Sequence, residues 1–327
     1  MDLIVHTYGT SISRDNHGFV ISNKYGTQRI AADDVNAIYV SKGVRITSDA
    51  IMLAIEKEVE FLFTERSGHP LGRVWSSKYG SLSVIRKGQL RFVYSPDAVS
   101  WIQDILVSKI QNQQAFLLTM EMQDESAKYI VEKAVSRLEE YILKVKSSSA
   151  NMVQEIAPKF RGWEGFASRI YFETLNMFLP DRFRFEKRSQ HPAVDVVNAM
   201  LNYGYGMLYG KIEGMLIKSG VDPYVGVMHR DTYNRPVLVY DIIERYRVWV
   251  DYVVYTLVCQ GIITDEYYSI RTDGSCWLES LGRRVLIQSL NDYLDEVVDL
   301  EGLSRSREVH MFLFIQSFAQ YLKNFSM

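Results

Sequence analysis

The hydrophobic period of this chain changes once, near Ser95, and that change constrains the fold more than any other feature. Before it, apolar residues come in short runs: Leu3-Ile4-Val5, Phe19-Val20-Ile21, Val35 to Val40, Val59 to Phe63 and Pro70 to Trp75. Turn residues separate them, among them Tyr8-Gly9-Thr10, Asn16-His17-Gly18, Lys24-Tyr25-Gly26, Lys42-Gly43 and Ser67-Gly68. Short runs with regular Gly, Asn and Ser punctuation predict an antiparallel sheet or small sandwich. One helix is expected among them, capped by Ser48, with Asp49 in its first turn and Ile51, Leu53, Ala54 and Ile55 following. After Ser95 the period is helical. Ser95-Pro96-Asp97 opens the first helix, with Val99, Ile102, Ile105, Leu106 and Ile110 along it. Further helical patterns run over Ser126 to Lys146, Gly162 to Phe178, Pro192 to Ser219, Pro236 to Cys259, Leu281 to Val298 and Ser304 to Phe325, with Ser147-Ser148-Ser149 as a connector. The expected class is α+β: a small β-sandwich-like domain over 1–80, a linker over 81–94, and a larger all-α-helical domain over 95–327.

Composition excludes several classes. Thirty-seven Lys and Arg against 39 Asp and Glu give a net charge of −2, which argues against binding nucleic acid or membranes by bulk charge. Cys259 and Cys276 have no spacing suited to a disulfide framework or a zinc ribbon, as expected of a reducing compartment. No basic segment precedes an apolar run at Met1-Asp2-Leu3-Ile4-Val5-His6, so no secretory leader is expected. The longest apolar stretch, Val248 to Ile263, is broken by Asp251 and is shorter than the ~20 residues of a membrane span. A buried helix in a cytoplasmic protein is the expectation.

Three places carry residues suited to chemistry. In Gly162-Trp163-Glu164-Gly165, two glycines bracket a carboxylate at an expected helix start, which either lets a ligand approach or merely complements the helix dipole. Asp222 to Asp231 forms a loop between long helices that brings up His229. In Tyr240-Asp241-Ile242-Ile243-Glu244-Arg245-Tyr246-Arg247, Asp241 and Glu244 stand three apart, so both would share one helical face and could approach one cation, or form an acidic face balanced by the arginines. Carboxylates with one imidazole suit Mg²⁺ or Mn²⁺ better than zinc, and such a site suits phosphodiester chemistry.

The near-zero net charge hides a polarity. Residues 151–240 hold 11 basic and 9 acidic side chains, whereas 241–327 hold 8 and 13. The basic part includes Asp181-Arg182-Phe183-Arg184-Phe185-Glu186-Lys187-Arg188, either a phosphate-contacting strip or a connecting loop whose phenylalanines dock into the core. Ser304-Arg305-Ser306-Arg307 is a smaller cluster of the same kind.

Five motifs in order and spacing, Gly162-Trp163-Glu164-Gly165, Pro192 to Ala199, Gly204-Tyr205, Gly220 to His229 and Tyr240 to Arg247, together resemble the family of the first CRISPR-associated protein. Gly43 to Ala50, Phe61 to Gly72 and Lys109-Ile110-Gln111-Asn112-Gln113 extend the resemblance over nearly the whole chain. It implies a metal-dependent DNA endonuclease and integrase that joins short foreign DNA segments to a CRISPR array, the 3′-hydroxyl of the segment attacking a repeat phosphodiester. It also implies Glu164, His229 and Glu244 as ligands of Mg²⁺ or Mn²⁺, with Asp241 beside the site. Double-stranded DNA, with Arg182, Arg184, Lys187, Arg188 and Arg247 as expected contacts, is the implied substrate. The implied partners are a second copy, joined through the β-domain, and the small ferredoxin-like second CRISPR-associated protein; the N-terminus suits a stand-alone adaptation protein. Alternatives are a nuclease for branched DNA in repair and a non-catalytic DNA-binding scaffold.

Overall fold

The computed structural model describes residues 1–65, 70–74, 83–190, 192–229, 235–300 and 302–325. The first part comprises β1 (Asp2–Val5), β2 (Ser11–Asp15), β3 (Gly18–Asn23), β4 (Gly26–Ala31), β5 (Ala37–Ser41), β6 (Arg45–Ile46), α1 (Ser48–Glu56), β7 (Glu60–Thr64) and β8 (Pro70–Val74). Strands β2, β3 and β4 form an antiparallel meander, to which β6 adds in parallel. Gly18 (φ +148°) starts β3 where an added Cβ would lie 2.2 Å from the Ile30 carbonyl oxygen, so only glycine fits that close approach.

The second sheet, in the order β1-β5-β7-β8, corrects the antiparallel expectation: β1, β5 and β7 run parallel, and only β8 opposes its neighbour. Both faces of this sheet are buried. Leu3, Val5, Ile38, Val40 and Phe61 pack against the meander and α1, while Ala37, Tyr39 and Leu62 pack on the opposite side. A parallel sheet needs such double cover, and its strands read as the near-continuous apolar runs seen at Val35 to Val40 and Val59 to Phe63. Helix α1 is capped by Thr47, whose hydroxyl accepts from the Ala50 amide, rather than by Ser48.

The larger part comprises α2 (Ser83–Val93), α3 (Pro96–Leu118), α4 (Glu125–Lys146), α5 (Val153–Met177), α6 (Val196–Lys218), α7 (Val237–Ile243), α8 (Arg247–Cys259), the hairpin β9 (Tyr268–Ile270) and β10 (Cys276–Leu278), α9 (Ser280–Asp295), the hairpin β11 (Val297–Leu300) and β12 (Leu303–Ser306), and α10 (Arg307–Asn324). The α+β arrangement is as expected, with the two short hairpins interrupting the helices. The stretch expected as a linker is helical over Ser83–Val93, and its Gly88 lies so close to α10 that an added Cβ would overlap the Leu322 carbonyl oxygen. Helix α6 is buried on nearly every side and forms the axis of this part.

Two boundaries differ in ways that matter for function. Helix α5 begins nine residues before Gly162, the expected start, because burial of Val153, Ile156, Ala157 and Phe160 carries it through Pro158. The run from Pro236 to Cys259 breaks at Glu244 to Tyr246 into α7 and α8. The two parts meet through buried ion pairs. Lys211 of α6 bonds Asp2 Oδ2 at 2.9 Å and Glu308 Oε2 at 3.0 Å, and Arg73 of β8 bonds Glu213 of α6. Among the described residues, no helix is long and apolar enough to cross a membrane.

Candidate metal and nucleic-acid site

Glu164 lies in the middle of α5, not at a helix start, so the macrodipole reading of that carboxylate is overturned. Its Oε1 accepts from Ser168 Oγ, one turn on, at 3.0 Å, and from the ammonium of Lys109 on α3. The same ammonium donates to Glu244 Oε2, so two carboxylates 80 residues apart in sequence face one buried cation. Glu244 ends α7 and is held from its other side by Arg247 Nε, 2.9 Å from Oε1. The turn bearing it is tied to α3 by Asn112 Nδ2 to the Arg245 carbonyl at 2.9 Å and by Arg245 Nη1 to Ser108 Oγ at 3.2 Å. Burial opposes the Glu244 charge, but Arg247 and Lys109 outweigh it and hold this carboxyl well below the usual range. Burial likewise pulls the Lys109 ammonium down, and Glu244 and Glu164 reverse the effect, raising its pKa.

Asp241 does not join Glu244 on a common cation. It is fully buried, and its Oδ2 accepts from the amides of Val227 at 2.7 Å and Met228 at 3.1 Å. Its Oδ1 accepts from the His229 amide at 3.1 Å and lies 2.6 Å from His229 Nδ1. The two acids are three residues apart but have different partners: Asp241 is taken up by the loop amides and His229, and Glu244 by Lys109 and Arg247. With the Nδ1 proton donated to Asp241, the other ring nitrogen of His229 carries a free lone pair, the arrangement metal-bound histidines adopt. Burial lowers the His229 pKa, but the Asp241 hydrogen bond and charge, helped by Glu244 and Glu164, lift it above its ordinary value.

The loop presenting His229 is pinned on three sides. Gln89 of α2 accepts from the Asp222 amide at 3.0 Å and donates to the Asp222 and Val225 carbonyls, while Arg161 of α5 reaches the Met228 carbonyl at 3.3 Å. An added Cβ on Gly226 would lie 2.6 Å from the His229 carbonyl oxygen, which fixes a glycine there. Asp231, Tyr233 and Asn234, polar residues that follow His229 in the sequence, lie outside the described residues.

Behind the carboxylates sits Asp251 of α8, which receives the hydroxyls of Tyr171 (α5) at 2.9 Å and Tyr205 (α6). Burial lifts its carboxyl to about 6, against the opposing effect of the two hydroxyls. The folded chain therefore keeps this proton after the unfolded chain has lost it, so this group's contribution to stability falls as pH rises from about 4 to about 6, by about 2–3 kcal/mol. Urea unfolding across that range should show Asp251→Asn gaining on the wild type as pH rises; a pH-independent difference would contradict the assignment. The Tyr205 ring also lies under Arg247, 4.7 Å from its centroid, and near Arg188 at 5.8 Å.

Two cavities open beside these groups. One of about 520 Å³ is lined by Lys109, Glu164, Arg169, Lys187, Arg188, Glu244 and Arg247 among others. The other, about 890 Å³, is lined by His229, Arg247, Arg73, Arg235 and a wall of Tyr203, Tyr205, Tyr209, Tyr224, Tyr240 and Trp277. Of the basic residues expected to meet DNA, most are engaged within the chain. Arg182 bonds the Ile263 carbonyl at 2.9 Å, Arg184 bonds the Leu179 and Met177 carbonyls and Asp181, and Arg188 is held by Asn198 and Asn202. Phe183 and Phe185 dock into the core, as the connecting-loop reading anticipated. Lys187 is exposed on the wall of the smaller cavity.

Whether the residues suit a divalent ion turns on the donors themselves. Two carboxylates converge on one positive charge, and an imidazole oriented by a buried aspartate stands close enough to feel both, which is a donor set for a hard cation. As they stand, no three His, Cys, Asp or Glu side chains among the described residues are gathered around one point, and Lys109 occupies the space between two of them. The residues fit the ion, with a lysine between them. In the sequence Lys109 stands out only as the first residue of the Lys109 to Gln113 motif. Its signal was its position on the apolar stripe of α3, in register with Ile102, Ile105, Leu106 and Ile110, where a charge is buried only with partners.

A CRISPR-associated endonuclease Cas1 of Archaeoglobus fulgidus is 28% identical over 314 residues, covering 92% of this chain and 90% of that protein. Among solved structures, a Cas6-RT-Cas1–Cas2 complex superposes with a TM-score of 0.82 at 22% identity, over 99% of this chain but 35% of that one. A casposase bound to its integration product superposes equally well, 0.82 at 19% identity, over 98% of this chain and 90% of that one. At such identities these two likenesses establish the fold. The family model described as CRISPR associated protein Cas1 matches residues 3–292, and with that extent of match this chain belongs to the Cas1 family.

Proposed function

We propose that this chain is a metal-dependent DNA endonuclease and integrase that inserts short DNA segments into a CRISPR array. The observation that carries the reading is the convergence of Glu164 and Glu244 on one cation beside a histidine oriented by Asp241. In the proposal Glu164, His229 and Glu244 hold Mg²⁺ or Mn²⁺, and Asp241 fixes the His229 ring rather than binding the ion. The ion, when bound, activates the attacking 3′-hydroxyl and offsets charge building on the phosphate. The chain's own residues do the rest. Arg247 steadies Glu244, and Lys187, with the more constrained Arg188, Arg184 and Arg182, lies along the path of the DNA backbone. The name of the solved Cas1–Cas2 complex supports a Cas2 partner, and a homodimer formed through the β-domain, acting in the cytoplasm, belongs to the same reading.

The test is to incubate the protein and Cas2 with a protospacer duplex and a supercoiled plasmid carrying a repeat. Plasmid-linked protospacer should form with Mn²⁺ or Mg²⁺, vanish with EDTA, and vanish in His229→Ala; product formation indifferent to both would overturn the proposal. In the same system Lys187→Ala should reduce the slope of log affinity against log salt by about 0.9 per lost phosphate contact. An unchanged slope would return that stretch to a connecting loop.

A further inference from the structure

Lys109 is more deeply buried than either carboxylate it serves: 6% of its side chain is exposed, against 8% for Glu244 and 26% for Glu164. Burying an ammonium is costly unless its charge is met, and here two carboxylates from α5 and the end of α7 meet it together. Without it, Glu164 and Glu244 would repel each other, with Ser168 Oγ bonded to the one and Arg247 Nε to the other. The ammonium stands where both oxygens point, so an ion bound by both carboxylates and the lysine bonded to both cannot share that space.

We infer that Lys109 is a built-in counter-cation that assembles the two acidic ligands before a metal arrives and that the metal must displace, so that Lys109 sets the affinity of the site. This deepens the proposed function and rests on its metal reading. Lys109 is a positioning residue: it acts through Glu164 and Glu244. The wall of the 520 Å³ cavity that it lines gives the displaced side chain somewhere to go without leaving the site. A lysine on a flexible four-carbon stem suits this role better than an arginine, whose planar fork would hold both carboxylates in a fixed geometry.

The experiment measures binding of Mn²⁺ alone to the full chain, without DNA, by isothermal titration calorimetry, together with melting temperatures with and without Mn²⁺. Lys109→Met and Lys109→Gln should bind Mn²⁺ on the order of tenfold more tightly than wild type, within the usual 5- to 150-fold range of coupling between two sites. Without metal both variants should melt several degrees lower, and saturating Mn²⁺ should bring them back towards the wild type. Lys109→Gln keeps a hydrogen bond to one carboxylate and serves if the methionine variant does not fold. Wild type binding Mn²⁺ with both variants no tighter would overturn this inference alone. Failure of the wild type and both variants to bind Mn²⁺ would overturn the metal reading with it.

Discussion

Glu244→Ala should lower strand transfer by about three orders of magnitude. A bound metal supplies several kcal/mol of charge stabilisation at the reacting phosphate, and each ~1.4 kcal/mol is a factor of ten in rate. The change has a second consequence, because Glu244 is the shared acceptor of Lys109 and Arg247; its removal leaves Lys109 with Glu164 alone and takes the Nε partner of Arg247. Glu244→Gln separates the two effects. The amide keeps an oxygen for Arg247 but sets its NH2 against the Lys109 ammonium and gives up the negative charge the ion requires, so it should recover only part of the melting temperature lost in Glu244→Ala while losing activity comparably. A glutamine variant with near wild-type strand transfer would show that Glu244 is only a structural partner of the two cations.

Asp241→Asn should weaken metal binding by about 10- to 100-fold, the usual cost of removing the group that orients a metal-bound histidine. The effect has a definite sign in pH. Asp241 holds the His229 pKa above its ordinary value, so the ion pair's stabilisation is complete below the unfolded-state pKa and is lost as pH rises through the higher folded one. Metal binding needs the neutral ring, and wild-type affinity should therefore climb as pH rises through that raised value. In Asp241→Asn the climb should come at lower pH and level off at a weaker affinity. Mn²⁺ titrations across the histidine range separate these behaviours; a variant with unshifted pH dependence would mean that Asp241 serves only the amides of Val227, Met228 and His229.

How far the site was legible in the sequence depends on which link is considered. Period alone separated the sheet-rich part from the helical part, because burying one face or stripe of an element writes that period into the chain. The parallel strands were hidden, since an apolar run such as Val35 to Val40 fits a doubly covered strand of either direction. The motif resemblance pointed to Glu164, His229 and Glu244 and set Asp241 beside them, but it could not give the partners that hold each of these side chains in place. The partners of Asp241 and Glu244 come from the 227–229 loop and from Lys109 of α3, which three-residue spacing on one helix does not encode. The expected linker conceals Gln89, whose amide braces the His229 loop from 133 residues away. Lys109 and Asp251 were visible as charges within apolar patterns, yet their partners come from other helices and emerge only in the folded chain.

The central claim is that Glu164, His229 and Glu244 hold a divalent ion that Lys109 otherwise replaces. Crystals of the wild-type chain soaked in Mn²⁺, with anomalous diffraction recorded at the manganese edge, test it directly. One peak should appear, bounded by those three side chains, with Asp241 still bonded to His229 and the Lys109 ammonium moved away from both glutamates. An ion seated on Asp241, or Mn²⁺ absent from the site with Lys109 still bridging Glu164 and Glu244 at saturating concentration, would contradict it.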